Sequence, residues 1–304
     1  MKQTLNVCSA FLMSLQVILC LTTFDQLPQT CGRRSNLSVW SEEDTYSKPQ
    51  AIPHSWPWQV GLWSKNRGEH PFCGGTILNN SLIITAARCV KMLFSCEETP
   101  VGQRVDITQR TGDILTVHAG DHKFSKSDIV KQLRQVKLVE VHPQFNPRSE
   151  NSGYDVALLW LMRPLFTGTA ALPICVSKNE IELSDGYNCY YAGWGAVLRK
   201  GLAKEWKNPR VLRQAEVTIA PYSECVRVSY PVSKDKIICL ETEARAPCHG
   251  DNGGGLFCLP PKEQRWFLHG VIGGADEECV GDRAIATSMS SVSQWLEKTL
   301  GLPK

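Results

Sequence analysis

Cysteine content constrains the fold of this chain more than any other feature of the sequence. The 304 residues include 13 cysteines, and no two of them form a Cys-x-x-Cys pair. So many cysteines in a non-repetitive chain indicate either a disulfide framework in an oxidising compartment or metal sites. Because the histidines do not cluster near the cysteines at ligand spacing, we expect disulfides, and neither a metal ion nor another cofactor.

The N-terminus predicts the secretory pathway. Lys2 precedes an apolar stretch from about Val7 to Leu21, which is the pattern of a signal peptide over residues 1–22. A membrane anchor is the alternative, but the stretch is shorter than the roughly 20 residues that span a bilayer. No second stretch of that kind follows, and the C-terminal end lacks the pattern of a lipid anchor. We therefore expect a secreted, extracellular protein without a membrane anchor.

Charge and glycosylation motifs describe the surface of the secreted chain. The 33 Lys+Arg and 30 Asp+Glu give a formal net charge of +3, which is too balanced to predict nucleic acid or a membrane surface as a partner. Asn36 and Asn79 stand in Asn-x-Ser sequons and are predicted glycosylation sites. Removal of the signal peptide takes Cys8 and Cys20 and leaves an odd number of cysteines.

The remaining chain divides into a polar segment and a β-rich domain. Residues 23–50 carry prolines, glycine and a charged run, as a pro-segment or linker would, and residues 51–304 form the predicted domain. The domain holds short apolar runs separated by Gly, Pro, Asn or Asp, which predicts an all-β fold. These runs are Gln59–Trp63, Thr76–Leu78, Ser81–Ala86, Ile114–Ala119, Val136–His142, Val156–Leu161, Tyr190–Trp194, Val211–Ile219, Lys236–Leu240, Gly254–Cys258, Trp266–Ile272 and Ala284–Thr287. Helical periodicity predicts one helix, over Ser291–Leu300, with Gly301 ending it.

Five motifs in fixed order carry a resemblance to a known family. They are Trp56–Val60, Cys73–Leu78 with Ile84–Cys89, Tyr154–Leu159, Ala192–Gly195 and Cys248–Cys258. Their order and spacing resemble the trypsin-like serine peptidases over residues 50 to 300. The resemblance implies two six-stranded antiparallel β-barrels packed face to face, with a C-terminal α-helix.

The catalytic positions of that family are altered in this chain. Peptide cleavage by the family needs a serine nucleophile, a histidine base and an aspartate that orients the imidazole. The aspartate matches Asp155, but Arg88 stands at the histidine position and Asn252 at the serine position. A guanidinium has no acceptor lone pair and keeps its proton, and a carboxamide is a poor nucleophile. The resemblance therefore implies an inactive pseudo-peptidase without catalytic residues.

Activation by cleavage is also not expected. In activatable relatives, cleavage after a basic residue frees an N-terminal ammonium, which pairs with the aspartate preceding the serine and shapes the oxyanion hole. The matching stretch, Asp44–Lys48, offers neither a basic junction nor a small apolar terminus. We therefore expect Asp251 to lack that N-terminal ammonium partner, and the oxyanion-hole amides of Gly250 and Asn252 to lack the activated geometry.

A second processing signal lies further upstream. Arg33 and Arg34 could be cut by a dibasic protease, but a terminus at Ser35 would lie too far from the domain to reach the oxyanion loop. We expect the two arginines to be a solvated pair instead.

The primary specificity pocket differs from that of trypsin-like relatives as well. Ala246 stands where those relatives hold a carboxylate, and Gly273, Gly274 and Ala275 replace the usual Ser-Trp-Gly strand. A pocket of this kind should not grip a basic substrate side chain. We favour an eroded, unused pocket over one newly tuned to another ligand.

The arginine at the base position leaves two alternatives. Arg88 either folds inward and pairs with Asp155 through a charge-assisted bond, or points to solvent across the old cleft. We favour the pair, because a buried aspartate without a partner is costly.

The resemblance also implies a disulfide pattern that leaves one cysteine over. The implied pairs are Cys73–Cys89, Cys189–Cys258, Cys225–Cys239, Cys248–Cys279 and, tethering the pro-segment, Cys31–Cys175. Cys96 remains unpaired, in a stretch between Val90 and Thr116 that is longer than relatives usually carry. It is an intermolecular link, a capped thiol or a buried spectator.

These features favour a secreted, non-catalytic homologue that binds a protein partner, covalently if Cys96 forms an intermolecular link. One alternative is a weakly active hydrolase with a relocated nucleophile. His249, three residues before Asn252, is expected to be a solvated loop residue instead of its base. Another alternative is a pseudo-subunit that docks on an active relative or sequesters its inhibitors.

Overall fold

A computed structural model describes residues 30–34, 46–94, 98–124, 128–176, 181–199, 206–226, 234–275, 279 and 281–301. The predicted signal peptide at 1–22, the sequon at Asn36, Cys96 and most of the predicted pro-segment lie outside the described residues. Among the described residues, every helix is too short or too polar to cross a membrane.

The first β-barrel closes from six strands of the N-terminal half. Its antiparallel order is β1-β2-β3-β7-β6-β5, with β6 pairing both β5 and β7 to complete the ring, and β4 adds to the outside of β6. The strands are β1 (Gln59–Trp63), β2 (Cys73–Asn79), β3 (Leu82–Thr85), β4 (Arg104–Asp106), β5 (Thr116–Ala119), β6 (Gln132–Val141) and β7 (Ala157–Leu161).

The second barrel closes from six strands of the C-terminal half, in the order β11-β12-β15-β14-β13-β8. The strands here are β8 (Asn188–Gly193), β11 (Arg213–Ala220), β12 (Ile237–Glu241), β13 (Gly255–Cys258), β14 (Phe267–Ala275) and β15 (Arg283–Ser288), with a small separate ribbon of β9 (Val197–Leu198) and β10 (Trp206–Lys207). Two closed six-stranded barrels confirm the predicted fold class.

Helices are few and mostly short. They are α1 (Ala87–Lys91), α2 (Ile107–Thr111), α3 (Tyr222–Val226) and α4 (Met289–Leu300), with 3-10 turns at Lys65–Arg67, Met92–Phe94 and Glu150–Ser152. α4 begins two residues before the predicted start and buries Val292 and Leu296. Gly301 ends it in the left-handed conformation, with φ 64°, as its position after the last apolar residue indicates.

A buried aromatic cluster joins the two barrels. Trp56 and Trp58, at the start of the first barrel, lie 5.4 and 5.9 Å from the ring of Phe257 in β13. Trp266 meets Trp56 edge to face at 5.2 Å, which is a favoured aromatic geometry. Aromatic side chains from both halves of the chain are therefore packed together between the barrels.

All five implied disulfides are present. They join Cys31 to Cys175, Cys73 to Cys89, Cys189 to Cys258, Cys225 to Cys239 and Cys248 to Cys279. Each bridge confirms the pairing that the resemblance implied.

The segment around Cys31 is packed against the second barrel and is not a loose linker. The Gly32 amide donates to Pro173 O at 2.9 Å, and the Trp266 amide donates to Gly32 O at 2.9 Å. Gly32 has φ 65°, and a β-carbon there would lie 2.3 Å from Trp266 O, so only glycine fits.

The prediction of a solvated Arg33–Arg34 pair is wrong for one member. Arg33 is exposed, but Arg34 is half-buried, with its guanidinium 3.9 Å from the ring centre of Trp56. Burial lowers the pKa of Arg34 to about 10. The sequence did not indicate this contact, because Trp56 is distant along the chain and is brought close through the Cys31 tether.

Candidate functional site

Arg88 and Asp155 lie close together because each is near the end of one of two paired strands. Arg88 lies in α1, three residues after the end of β3, and Asp155 lies two residues before the start of β7. Since Thr85 at the end of β3 pairs with Ala157 at the start of β7, the residues just beyond these ends lie side by side. Asn252 comes from the loop before β13 in the other barrel.

Arg88 and Asp155 form a nearly enclosed ion pair. The Arg88 amide donates to Asp155 Oδ1 at 2.8 Å, and the guanidinium Nε donates to Oδ2. The side chains are 14% and 2% exposed. Of the two alternatives for Arg88, the structure has the inward pair that we favoured.

Burial and pairing act in opposite directions on the Asp155 carboxyl. Burial raises its pKa, and the guanidinium charge and the two hydrogen bonds from Arg88 counteract part of that rise. Asp155 therefore depends on Arg88 for the stability of its ionised form.

Further acceptors surround the guanidinium. Nη2 donates to Asn151 Oδ1 at 2.8 Å, and Nη1 lies 3.7 Å from Glu150 Oε2. Lys91 Nζ in turn contacts Glu150 Oε1 at 2.7 Å. The sequence analysis missed Glu150 and Asn151; their position four and five residues before Asp155, in a polar turn, was the available signal.

Asn252 lies close to the same guanidinium. A β-carbon placed on Gly274 in β14 would lie 3.2 Å from Asn252 Oδ1 and 3.4 Å from Arg88 Nη1. A β-carbon on Gly273 would lie 3.5 Å from Arg88 Nη2. The three triad positions, two of them altered and one retained, therefore lie close together. The Arg88 guanidinium lies next to Gly273 and Gly274, which stand where relatives usually have Ser and Trp.

Asp251 has a cationic partner, which is a lysine side chain and not an N-terminal ammonium. Lys48 Nζ donates to Asp251 Oδ2 and lies 3.4 Å from Gly195 O. The two side chains are 1% and 0% exposed. Asp251 also accepts from the amides of Gly195 and Cys248, each at 2.9 Å. Lys48 is the last residue of the Asp44–Lys48 stretch, but no motif in that stretch indicated the pairing of its side chain.

The loop that carries Asp251 is held at both ends. The Asp251 amide donates to Cys248 O at 2.8 Å, and the Gly253 amide donates to Ile272 O at 2.8 Å. Gly250 and Gly253 have φ of 100° and 83°, which favours glycine. Neither the Gly250 amide nor the Asn252 amide donates to another described residue. The two oxyanion-hole amides thus lie on a loop that is held by hydrogen bonds, and their lack of the activated geometry stays a prediction.

The predicted pocket residues lie in two separate segments. Ala246 is buried beside the Cys248–Cys279 disulfide segment, and Gly273 and Gly274 lie in β14. Ala275 is the last residue of β14, and its side chain lies outside the described part of the structure. Whether this pocket is eroded or retuned stays a prediction.

His249 and Asn79 occupy loop and turn positions. His249 is exposed, and its carbonyl accepts from the Ala196 amide at 2.9 Å. Within the described ranges, the one His/Cys/Asp/Glu group at metal-ligand distances is Cys248, His249 and Cys279. Both of those cysteines are in a disulfide, so they offer no thiolate. Asn79 is half-buried at the end of β2 and accepts from the Ser81 amide at 2.9 Å; its glycosylation stays a prediction.

Known proteins resemble this chain over most of its length. The family model described as trypsin matches residues 46–296, a range that begins before the predicted domain boundary and includes Lys48. Ovochymase-2 of Mus musculus is 29% identical over 261 residues, which cover 80% of this chain and 39% of that protein. Chymotrypsin-like elastase family member 3B of Macaca mulatta is 26% identical over 256 residues, covering 82% of this chain and 91% of that protein.

A solved structure supports the fold. Neuropsin, a serine protease expressed in the limbic system of mouse brain, superposes with a TM-score of 0.64 at 24% sequence identity, covering 83% of this chain and 97% of that one. At that identity the likeness bears on the fold alone.

Proposed function

The chain belongs to the trypsin family of serine proteases, and we propose that it is a secreted member that binds a protein without cleaving peptide bonds. The observation that carries this proposal is the ion pair of Arg88 with Asp155 at the position of the catalytic base. A guanidinium that already donates to a carboxylate has neither a lone pair nor a vacant position from which to accept a proton.

The nucleophile position supports the same proposal. Asn252 lies near Arg88 across Gly274, and an amide nitrogen gains no nucleophilicity from a neighbouring guanidinium. Members of a triad act as a unit, so loss of one costs orders of magnitude in rate and loss of a second leaves only residual activity. His249 is exposed, and no described contact aims it at a nucleophile, which does not favour the alternative of a relocated base.

The intact framework supports a binding role. Five disulfides and two closed barrels hold the described part of the chain, and such bridges are typical of secreted proteins. A scaffold of this kind presents the loops between its strands on a rigid base, and such loops commonly carry binding surfaces. The partner is proposed to be a protein, because the balanced net charge of +3 does not favour nucleic acid.

A fluorophosphonate probe tests the loss of catalysis. The secreted chain is purified and exposed to the probe beside the matched variant with Arg88→His and Asn252→Ser. We expect no labelling of the native chain and labelling of the double variant, which restores base and nucleophile. Specific labelling of the native chain, or hydrolysis of a peptide library that the probe blocks, would contradict the proposal.

Binding is tested separately. Proteins that co-purify with the secreted chain are identified and produced pure, and binding is then measured by calorimetry with the native chain. We expect at least one to bind with a defined stoichiometry. Absence of binding by every purified candidate would argue against a binding role.

A further inference from the structure

Lys48 supplies a buried ammonium next to the loop that carries the oxyanion-hole amides. Its Nζ contacts Asp251 Oδ2 and Gly195 O, and it lies 5.8 Å from the ring centre of Tyr191. Both members of the ion pair are almost fully enclosed. Burial of a carboxylate is costly unless a cation and hydrogen bonds surround it, so Lys48 stabilises Asp251 at this position.

The carboxylate of Asp251 occupies space that is available only because residues 193 and 195 are glycines. β-carbons on Gly193 and Gly195 would lie 2.2 and 2.3 Å from Asp251 side-chain atoms. The carboxylate oxygens accept hydrogen bonds from the amides of Gly195 and Cys248, and Lys48 adds the ion pair. The position of Asp251, and with it that of Gly250 and Asn252 on either side, is therefore fixed from within the protein.

The main chain continues on both sides of Lys48. Upstream, the Ser47 amide donates to Leu198 O at 2.8 Å. Downstream, the Gln214 amide donates to Pro49 O at 3.1 Å and the Ala51 amide to Leu212 O at 2.9 Å. Lys48 O itself accepts from Arg213 Nη1 at 3.0 Å. The ammonium thus belongs to a side chain in a segment that backbone hydrogen bonds hold on both sides. It is present in the uncut chain.

We infer that Lys48 replaces a cleavage-generated N-terminus as the cation that orders the loop 248–253, so that the cleft of this protein is formed in the uncut chain. An N-terminal amine at this segment exists only after internal proteolysis, whereas the side chain of Lys48 is part of the uncut chain. Cleavage upstream, at Arg33 or Arg34, adds nothing to the loop's order. The inference does not rest on the proposed function, because it concerns the order of the loop and not the chemistry that the loop performs.

The first test uses the double variant Arg88→His, Asn252→Ser as a reporter of loop order. The double variant that retains Lys48 and has not been cut by a protease is expected to react with the fluorophosphonate probe. Adding Lys48→Met should slow labelling by at least about 100-fold, the effect of losing an oxyanion-hole donor. Lys131→Met is the matched control, since it removes the cation of another buried pair, with Asp121 at 2.6 Å, in the first barrel. That control should label at the rate of the parent. Equal labelling with Met at position 48, or labelling only after proteolytic cutting, would overturn the inference.

A second test uses the native chain and needs no restored activity. Hydrogen exchange of the amides in 248–253 is compared between the native protein, Lys48→Met and the doubly neutral Lys48→Met, Asp251→Asn. We expect at least about tenfold faster exchange in this loop for Lys48→Met, since each tenfold corresponds to a 1.4 kcal/mol easier opening, with the barrel strands unchanged. The Lys48→Met, Asp251→Asn variant leaves no unpaired buried charge, so it should fold even if Lys48→Met alone does not. It should show the same faster exchange in the loop. Unchanged exchange in the folded variant would overturn the inference.

The two proposals fail in different ways. Probe labelling of the native chain contradicts the non-catalytic function and leaves the role of Lys48 intact. Loop order that is independent of Lys48 contradicts this inference and leaves the non-catalytic function intact.

Discussion

Arg88 illustrates how a residue that removes one property can add another. As a replacement for a histidine base it cannot accept a proton, and as a donor to Asp155 it balances a carboxylate that burial otherwise disfavours. The identities of Arg88, Asp155 and Asn252 were readable from the sequence because each stands in a motif. The partner of Asp251 was not, because Lys48 is far from it along the chain and is brought there by a strap of backbone hydrogen bonds.

Removal of Arg88 should destabilise the protein in a pH-dependent manner. Arg88→Ala is expected to cost about 3 kcal/mol at neutral pH, the lower end of the cost of breaking a buried ion pair. Because Asp155 must then be either buried as a lone charge or protonated, the cost should shrink as the pH falls and the carboxyl is neutralised. Chemical denaturation of both proteins from pH 5 to 8 measures this difference.

Two comparisons sharpen the Arg88 experiment. Arg88→Leu combined with Asp155→Asn should recover most of the loss, since no lone charge remains. Arg283→Ala, which breaks the surface pairs with Glu224 and Glu241, should cost less than about 1 kcal/mol. A cost for Arg88→Ala that does not vary with pH would contradict the account.

Arg33 and Arg34 are neighbours with different expected effects. Arg34→Ala should lower the stability by about 1–2 kcal/mol, because it removes a guanidinium that stacks on Trp56. Arg33→Ala, at an exposed position, is the control and should leave the melting temperature unchanged. Thermal unfolding of the two variants distinguishes them, and equal melting temperatures would argue against the stacking contact.

At the scale of elements, strands were predictable and their polar surroundings were not. The twelve strands that close the two barrels each overlap a predicted apolar run, for example β1 at Gln59–Trp63 without any shift. β4, β9 and β10 were missed because two or three residues are too few to show a period. α1 was missed because its five residues make little more than one helical turn, although it positions Arg88.

The C-terminal helix packs on a buried histidine. His142 stacks on Tyr154 at 4.7 Å and meets Trp295 of α4 edge-on at 4.8 Å, and its Nδ1 accepts from the Gln144 amide at 3.1 Å. Burial lowers the pKa of His142 to about 4. Protonation would place a charge in this stack and remove the acceptor at Nδ1.

The stability of the protein should therefore fall on acidification. Between pH 6.5 and about 4 the unfolded His142 is protonated and the folded one is not. The unfolded state therefore binds more protons and is stabilised relative to the folded state as the pH falls. The contribution is fully lost below about pH 4. Urea unfolding at several pH values gives the free energy of unfolding as a function of pH. This free energy should change less steeply with pH over this range for His142→Phe, which keeps the aromatic stack, than for the native protein. Parallel pH curves for the two proteins would contradict this role.

At the scale of the whole molecule, disulfides join parts that are distant in sequence. Cys31 and Cys175 are 144 residues apart, and the bridge fixes the segment that carries Gly32 and Arg34. The pairing followed from family resemblance; composition alone predicted only that disulfides form, since connectivity is not encoded in spacing.

Loss of this bridge should destabilise the domain. Cys31→Ser with Cys175→Ser is expected to cost about 2–4 kcal/mol, the usual effect of closing a long loop in the unfolded chain. Arg34 should then contribute less, because its segment is no longer held on Trp56, so the Arg34→Ala effect should be smaller in this background. Denaturant unfolding of the four proteins gives the coupling, and fully additive effects would show that the bridge does not position Arg34.

A cation carried by a side chain also frees the amino terminus of the protein. Relatives that depend on a free terminal ammonium cannot carry an affinity tag or a fused domain at that end and keep an ordered oxyanion loop. Here Lys48 is internal, so a recombinant chain with an N-terminal fusion should fold with its cleft complete, ready for display or immobilisation without a maturation step.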